Sequence, residues 1–201
     1  MLSNYSPVSS LYNINIKKID YVIYSSQYRP YKNIFNLIKA IKNINKEMHC
    51  NIKLIITSDF REDQRIMSYI NDNHLANDIF VMHGLSSEVL ASFSAHAKCA
   101  VNPTLFEGGF PFTFSEAYSV GTPSVMSNIP VVRAEIYNEN LSQMMLFDPY
   151  NPYSMAKKII WAVENCDELY QEQSKLYDKF AQRDWEKVVN EYNQVFEKFM
   201  R

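Results

Sequence analysis

The densest run of residues able to do chemistry is Asn102-Pro103-Thr104-Leu105-Phe106-Glu107-Gly108-Gly109-Phe110-Pro111-Phe112-Thr113-Phe114-Ser115-Glu116-Ala117. It sets a carboxylate, Glu107, and a glycine pair directly ahead of a helix start at Thr113. Adjacent glycines stand out in a chain that has only four, because a backbone position that tolerates glycine poorly elsewhere is expected to require it here. The pair lets the backbone approach a bulky anion. The free N–H groups of the helix that follows, at the positive end of its dipole, favour a phosphate there. A diphosphate against the Gly109 to Thr113 backbone is the expected ligand. Thr113 and Glu116 also have a structural reading, because Thr-x-x-Glu is a capping box and needs no ligand. Glu107 taken alone reads as a loop acid, although its place between an apolar run and a glycine pair at a strand end favours a site.

Other chemistries lack their residues. No Asp-x-Asp tripeptide offers a divalent cation a seat. No Gly-x-Gly-x-x-Gly follows the first apolar run, which argues against a nicotinamide dehydrogenase, and the Walker loop of ATP-driven phosphoryl transfer is missing. His49, His74 and His96 have no metal-ligand spacing. Cys50, Cys99 and Cys166 form an odd set with no CxxC, each beside apolar residues, and are expected to be buried thiols in a reducing compartment.

The totals agree. Twenty basic and 22 acidic residues in 201 leave a net charge of −2, so no global field draws the chain to nucleic acid or anionic lipid, and the partner is sought in a pocket. A hydrophobic fraction of 47% with 21% charged residues is that of an ordinary globular domain. The first residues have neither the basic start nor the apolar stretch of a signal peptide, and no apolar run approaches bilayer length, so a cytoplasmic location is expected.

The elements that must position these residues follow from periodicity. Short β-branched runs at Tyr21–Tyr24, Ile52–Thr57, Ile79–Met82, Cys99–Val101, Ser124–Met126 and Met144–Phe147 predict strands. Between them, Ile34, Leu37, Ile38 and Ile41 share one helical face, as do Val89, Leu90, Phe93 and Ala97. Asp59 before Glu62, Ser86 before Val89, Thr113 before Glu116 and Asn151 before Pro152 mark helix starts. After the last strand come helices over Pro152–Glu164, near Glu168–Phe180, and from Asp184 onward with Trp185, Val188, Val189, Tyr192, Phe196 and Phe199 on one face. Alternating strands and helices imply an α/β fold, a Rossmann-like doubly wound parallel sheet of about six strands with extra C-terminal helices. Ligands bind such sheets at the carboxyl ends of the strands. The Ser- and Asn-rich opening, residues 1–18, reads as a linker or arm, and residues 19–201 as one domain.

The loop 102–117, with Val120-Gly121-Thr122-Pro123-Ser124-Val125 after it, resembles the family 4 retaining glycosyltransferases of GT-B architecture (glycosyl transferases group 1), whose C-terminal domains carry a Pro-Ser-Leu-x-Glu-Gly-Phe-Gly-like loop, a second Glu and a Gly-Thr-Pro-Val-Val strand. Val81-Met82-His83-Gly84-Leu85-Ser86-Ser87-Glu88-Val89-Leu90, Ala97-Lys98-Cys99-Ala100-Val101-Asn102-Pro103 and the tail around Trp185 extend the likeness over most of the chain.

The resemblance implies roles. Glu116 would hold the donor ribose; Glu107 would sit at the transferred sugar, since a carboxylate can accept from two hydroxyls at once. The two acids are spaced one residue wider than in the family, which asks for a bulge at Gly108-Gly109. Arg29 and Lys32 fall where the family places cations that neutralise the diphosphate and steady the leaving nucleotide, Arg29 displaced from the usual Arg; alone, both read as solvated charges at a helix start. The backbone of Gly108, Gly109, Phe110, Pro111, Phe112 and Thr113 would cap the diphosphate, and Met82, His83 and Gly84 would lie by the nucleobase. No metal or other cofactor is expected.

A sugar transfer with retention from a nucleoside-diphosphate sugar is thus expected. A chain of this length holds the donor half, and an N-terminal acceptor domain or a partner chain would supply the rest. A nucleotide-sugar epimerase of the same architecture and a non-catalytic nucleotide-sugar-binding module are the alternatives.

Overall fold

The computed structural model describes residues 19–136, 138–182 and 184–200; the arm expected at residues 1–18 lies outside the described residues. The six apolar runs form strands β1 (Tyr21–Tyr24), β2 (Lys53–Ile56), β3 (Ile79–Val81), β4 (Cys99–Asn102), β5 (Ser124–Ser127) and β6 (Leu146–Phe147). They make one sheet in the order β3-β2-β1-β4-β5-β6, with every pairing parallel. Both faces are apolar, as a sheet covered on both sides requires. Val22, Tyr24, Leu54 and Ile56 point into the larger core, whereas Tyr21, Ile23 and Ile55 point into the smaller. The order reverses between β1 and β4, where Val22 faces Cys99 and Ile23 faces Ala100. A crevice opens at the carboxyl ends of such a pair.

Helix α1 (Ile34–Lys42) buries Ile34, Leu37, Ile38 and Ile41, and α7 (Pro152–Glu164) starts at the predicted Asn151 cap. Between them lie α2 (Gln64–Asp72), α3 (Ser87–His96), α4 (Phe112–Ser119), α5 (Pro130–Arg133) and α6 (Glu139–Met145). Four sequence expectations are corrected. Asp59 does not start a helix, because its carboxylate is taken by Arg61; α2 is capped instead by Asp63, which accepts from the N–H groups of Arg65 and Ile66. Met144 and Met145 close the last turn of α6 rather than opening β6, which starts at Leu146. On α3, Val89 is exposed while Ser94 is buried, so the expected apolar face is only half used. Of the cysteines only Cys99 is buried; Cys50 and Cys166 are half-exposed free thiols.

The helix expected near Glu168–Phe180 divides into α8 (Cys166–Glu172) and α9 (Ser174–Ala181) at Gln173. That residue is fully buried, and its amide pairs with both backbone groups of Ser124, tying the C-terminal helices to the start of β5. Helix α10 (Trp185–Phe199) buries none of its residues. Its predicted apolar face is bare, with Trp185 and Phe199 each 85% exposed. Among the described residues no helix is long and apolar enough to cross a membrane.

Candidate functional site

The site grows from the two loops that flank the crevice. After β1 the chain runs through Ser25–Arg29 into a short 3-10 turn, Pro30–Lys32, and then into α1. Asn33, between turn and helix, is buried in the left-handed conformation, φ 61°, which asparagine tolerates better than most residues. Its side-chain NH2 donates to the carbonyls of Pro103, at 2.9 Å, and Pro149, at 2.8 Å. One amide thus clamps the β1 loop to the β4 loop. The Leu105 N–H donates to the Tyr31 carbonyl at 2.8 Å and reinforces the clamp.

This backbone frame brings Lys32 and Glu107 into an ion pair, with only 16% and 17% of their side chains exposed. The Lys32 ammonium also lies 5.6 Å from the centroid of the Tyr31 ring. Below them Tyr24 ends β1. Burial, with the added negative field of Glu107 and Tyr31, pushes its hydroxyl well above the ordinary tyrosine range, so it stays neutral. Arg29 does not join the cluster. It is exposed and its guanidinium donates to the Tyr28 carbonyl and the Gln27 side chain of its own loop.

Gly108 and Gly109 are exposed; neither has a positive φ, and a Cβ on either would meet no atom within 4 Å. The expectation that the backbone itself requires glycine there is therefore corrected: the protein leaves open space at both positions. Phe110 turns inward. Its ring stacks on Phe180 of α9, centroids 4.6 Å apart, and meets Phe114 edge-on at 5.4 Å. Pro111 sits at the N-cap of α4 and supplies no side-chain acceptor. The helix begins at Phe112, two residues before the expected first turn, so Thr113 lies inside it and accepts from the Asn102 amide at 2.7 Å. The capping box is not made. Glu116 is left exposed, and among the described residues nothing pairs with its carboxylate.

At the β2 and β3 ends, Met82 is buried, with its N–H bonded to the Ile56 carbonyl. His83 Nε2 lies 2.8 Å from Arg61 Nη2, and Arg61 holds the Asp59 carboxyl well below the usual carboxylate range. Gly84 has φ +69°, a conformation that favours glycine. The structure thus unites Lys32 with Glu107 ahead of the loop that leads into α4, keeps Arg29 bonded within its own loop and leaves Glu116 apart from both. Sequence reasoning missed Asn33, Tyr31 and Phe106. Asn33 is an ordinary asparagine until its two distant carbonyl partners are known, and nothing in the spacing of Tyr31 and Phe106 sets them apart from core aromatics.

The model of the family described as Glycosyl transferases group 1 matches residues 13–182. No curated protein matches the sequence. Among solved structures, sucrose-phosphate synthase from Thermosynechococcus elongatus superposes with a TM-score of 0.71 at 18% identity, over 96% of this chain and 48% of that one. HepE of Anabaena, solved in complex with UDP, gives 0.70 at 17% identity over 98% and 53%. The catalytic domain of cholesterol-alpha-glucosyltransferase from Helicobacter pylori gives 0.62 at 21% identity over 80% and 96%. The chain spans about half the length of the first two, and these likenesses concern the fold.

Proposed function

Because this chain belongs to the glycosyl transferases group 1 family, we propose that it is the donor-binding domain of a retaining glycosyltransferase, moving a hexose from a nucleoside-diphosphate sugar to an acceptor. The observation that carries this reading is the pairing of Lys32 with Glu107 on the loop that leads into α4, whose N-terminus has no side-chain cap. A diphosphate placed in the crevice would draw the Lys32 ammonium and accept from the first N–H groups of α4, replacing the missing cap. Glu107, relieved of its partner, would accept from the sugar hydroxyls and steady positive charge at the anomeric carbon. The glycosidic bond to the acceptor oxygen forms as the bond to the diphosphate breaks; the departing diphosphate oxygen takes up the proton of the acceptor hydroxyl, and the nucleoside diphosphate leaves on Lys32. Glu116, about one turn into α4 and unpaired among the described residues, would take the ribose hydroxyls; Arg29, on the loop that carries Lys32, would turn onto phosphate. This scheme assigns the charge of the diphosphate to side chains and a helix terminus rather than to a metal.

An acceptor lobe or partner chain completes the proposal. The bare apolar face of α10, with Trp185, Tyr192, Phe196 and Phe199 exposed, is a surface that such a lobe would cover, and the half-length coverage of sucrose-phosphate synthase and HepE supports it. Isothermal titration with UDP-, GDP- and ADP-sugars tests the reading. Binding of one donor that weakens in Lys32→Met is expected; no heat with any of them would overturn it, and epimerised donor in the NMR spectrum would move the assignment to an epimerase.

A further inference from the structure

Tyr31 and Phe106 each stand next to one member of the ion pair, and their rings meet edge-to-face with centroids 6.4 Å apart. The pair is assembled by the same backbone bonds that build the site. The Tyr31 carbonyl accepts from the Leu105 N–H, and the Thr104 hydroxyl lies within reach of the carbonyls of both Tyr31 and Phe106. Yet the rings are left in the open: Phe106 is 67% exposed and Tyr31 42%. Aromatic rings set on a hydrogen-bonded backbone frame yet left uncovered, with a carboxylate and an ammonium at their margin, are unusual for side chains that serve only the core.

We propose that Phe106 and Tyr31, their planes 81° apart, form a corner-shaped platform that seats a pyranose ring flat on one aromatic face with the other ring at its side. The C–H face of a sugar is apolar and lies flat on an aromatic ring, while its hydroxyls project sideways and need acceptors and donors at the rim. Glu107, Lys32 and the Tyr31 hydroxyl supply that rim. A lipid chain would use the ring faces but leave the charged rim unmatched, which favours the sugar. The ring belongs either to the transferred sugar of the donor or to a saccharide acceptor; the chemistry is shared. The inference rests on the donor-site reading above and deepens it.

Saturation-transfer NMR on the intact chain separates the cases. The probes are UDP-glucose, UDP-N-acetylglucosamine, GDP-mannose and free maltose, with the protein methyl protons saturated. A donor-side platform is expected to give hexose-ring signals with one sugar nucleotide that fall at least threefold in Phe106→Ala and Tyr31→Ala, while base and ribose signals persist. An acceptor-side platform gives the same loss on maltose instead. Retention of the hexose and maltose signals in both variants, or their absence from the parent chain, overturns the platform. Missing base and ribose signals would overturn the donor reading separately, and the maltose arm still decides the platform. Because both rings are exposed, the variants are expected to keep the parent circular dichroism; Phe106→Trp should keep the hexose signals.

Discussion

Lys32 and Glu107 stand 75 positions apart in the chain, yet they form one ion pair across the crevice between β1 and β4. Each is delivered by a loop that the other loop holds in place, through the Asn33 amide and the Leu105 N–H. Removing either charge should therefore affect ligand binding as well as folding. Lys32→Met is expected to weaken nucleoside diphosphate binding about tenfold or more, since hydrogen bonds to charged groups contribute about 1.5–3 kcal/mol. Its stability should fall by about 1–3 kcal/mol, because the largely buried Glu107 carboxylate loses its partner. Glu107→Gln should leave the affinity for the bare diphosphate nearly unchanged and reduce the preference for the sugar-bearing form. Parallel titrations with UDP and UDP-glucose, or the matching pair for the preferred base, read both effects.

Glu116 makes a sharper case. Were it part of a capping box, alanine there would cost about 1 kcal/mol. The box is not formed, because α4 starts at Phe112. Glu116→Ala should therefore change the urea midpoint by less than the equivalent of about 0.5 kcal/mol. It should weaken nucleoside diphosphate binding about tenfold but leave inorganic pyrophosphate untouched. Equal losses for both ligands would remove the ribose role.

The glycines separate backbone strain from ligand room. Gly84→Ala places a Cβ on a backbone at φ +69°, which should cost about 1–2 kcal/mol in denaturant unfolding. Gly108→Ala and Gly109→Ala meet open space and should be nearly neutral for stability. Donor affinity should nonetheless drop in both, because the added methyl occupies the space left for the diphosphate.

Gln173 is the link between the C-terminal helices and the sheet. Gln173→Leu preserves much of the volume but strands the Ser124 N–H and carbonyl in a buried place. Each unpaired buried group costs about 1–3 kcal/mol, so a loss of about 2 kcal/mol or more is expected in urea unfolding. A loss under about 0.5 kcal/mol would mean that the amide is not the tie.

Acid sensitivity should centre partly on Asp63. Hydrogen bonding from the Tyr28 hydroxyl, at 2.5 Å, lowers its carboxyl below the ordinary value of 3.8, aided by the α2 N–H groups. The unfolded state therefore binds this proton more readily than the folded one, so the stabilisation is present above pH 3.8 and fades as the pH falls through the depressed native value. Asp63→Asn keeps a capable cap but removes the titration. Its urea midpoint should fall less between pH 7 and pH 3 than that of the parent chain, and equal slopes would exclude the effect.

The fold was legible because its signals are local. Ile34, Leu37, Ile38 and Ile41 repeat at helical spacing and are all buried on α1; Asn151-Pro152 marks the start of α7 and Asp184 that of α10. Strand cores show as short β-branched runs for the same reason. Where a local signal met a competing partner, it failed. Asp59 looked like a cap and was claimed by Arg61; Thr113 looked like a cap and became an acceptor for Asn102. At the site, the carboxylate, the cation and the glycines could be named from residue type and order.

What the sequence by itself determined is therefore the alternation of strand and helix, and the presence of an acid, a lysine and an open glycine loop at strand ends, because these depend on neighbours a few residues away. Which of those groups meet was decided only by the tertiary structure. The parallel sheet sets β1 beside β4, with neighbouring strands about 4.8 Å apart, and so joins Lys32 to Glu107 while leaving Arg29 on its own loop. The same packing turned Phe110 inward onto Phe180 and left Phe106 in the open. Residue type is identical in that pair of phenylalanines; only the path of the backbone between them separates a side chain packed against the core from an exposed one.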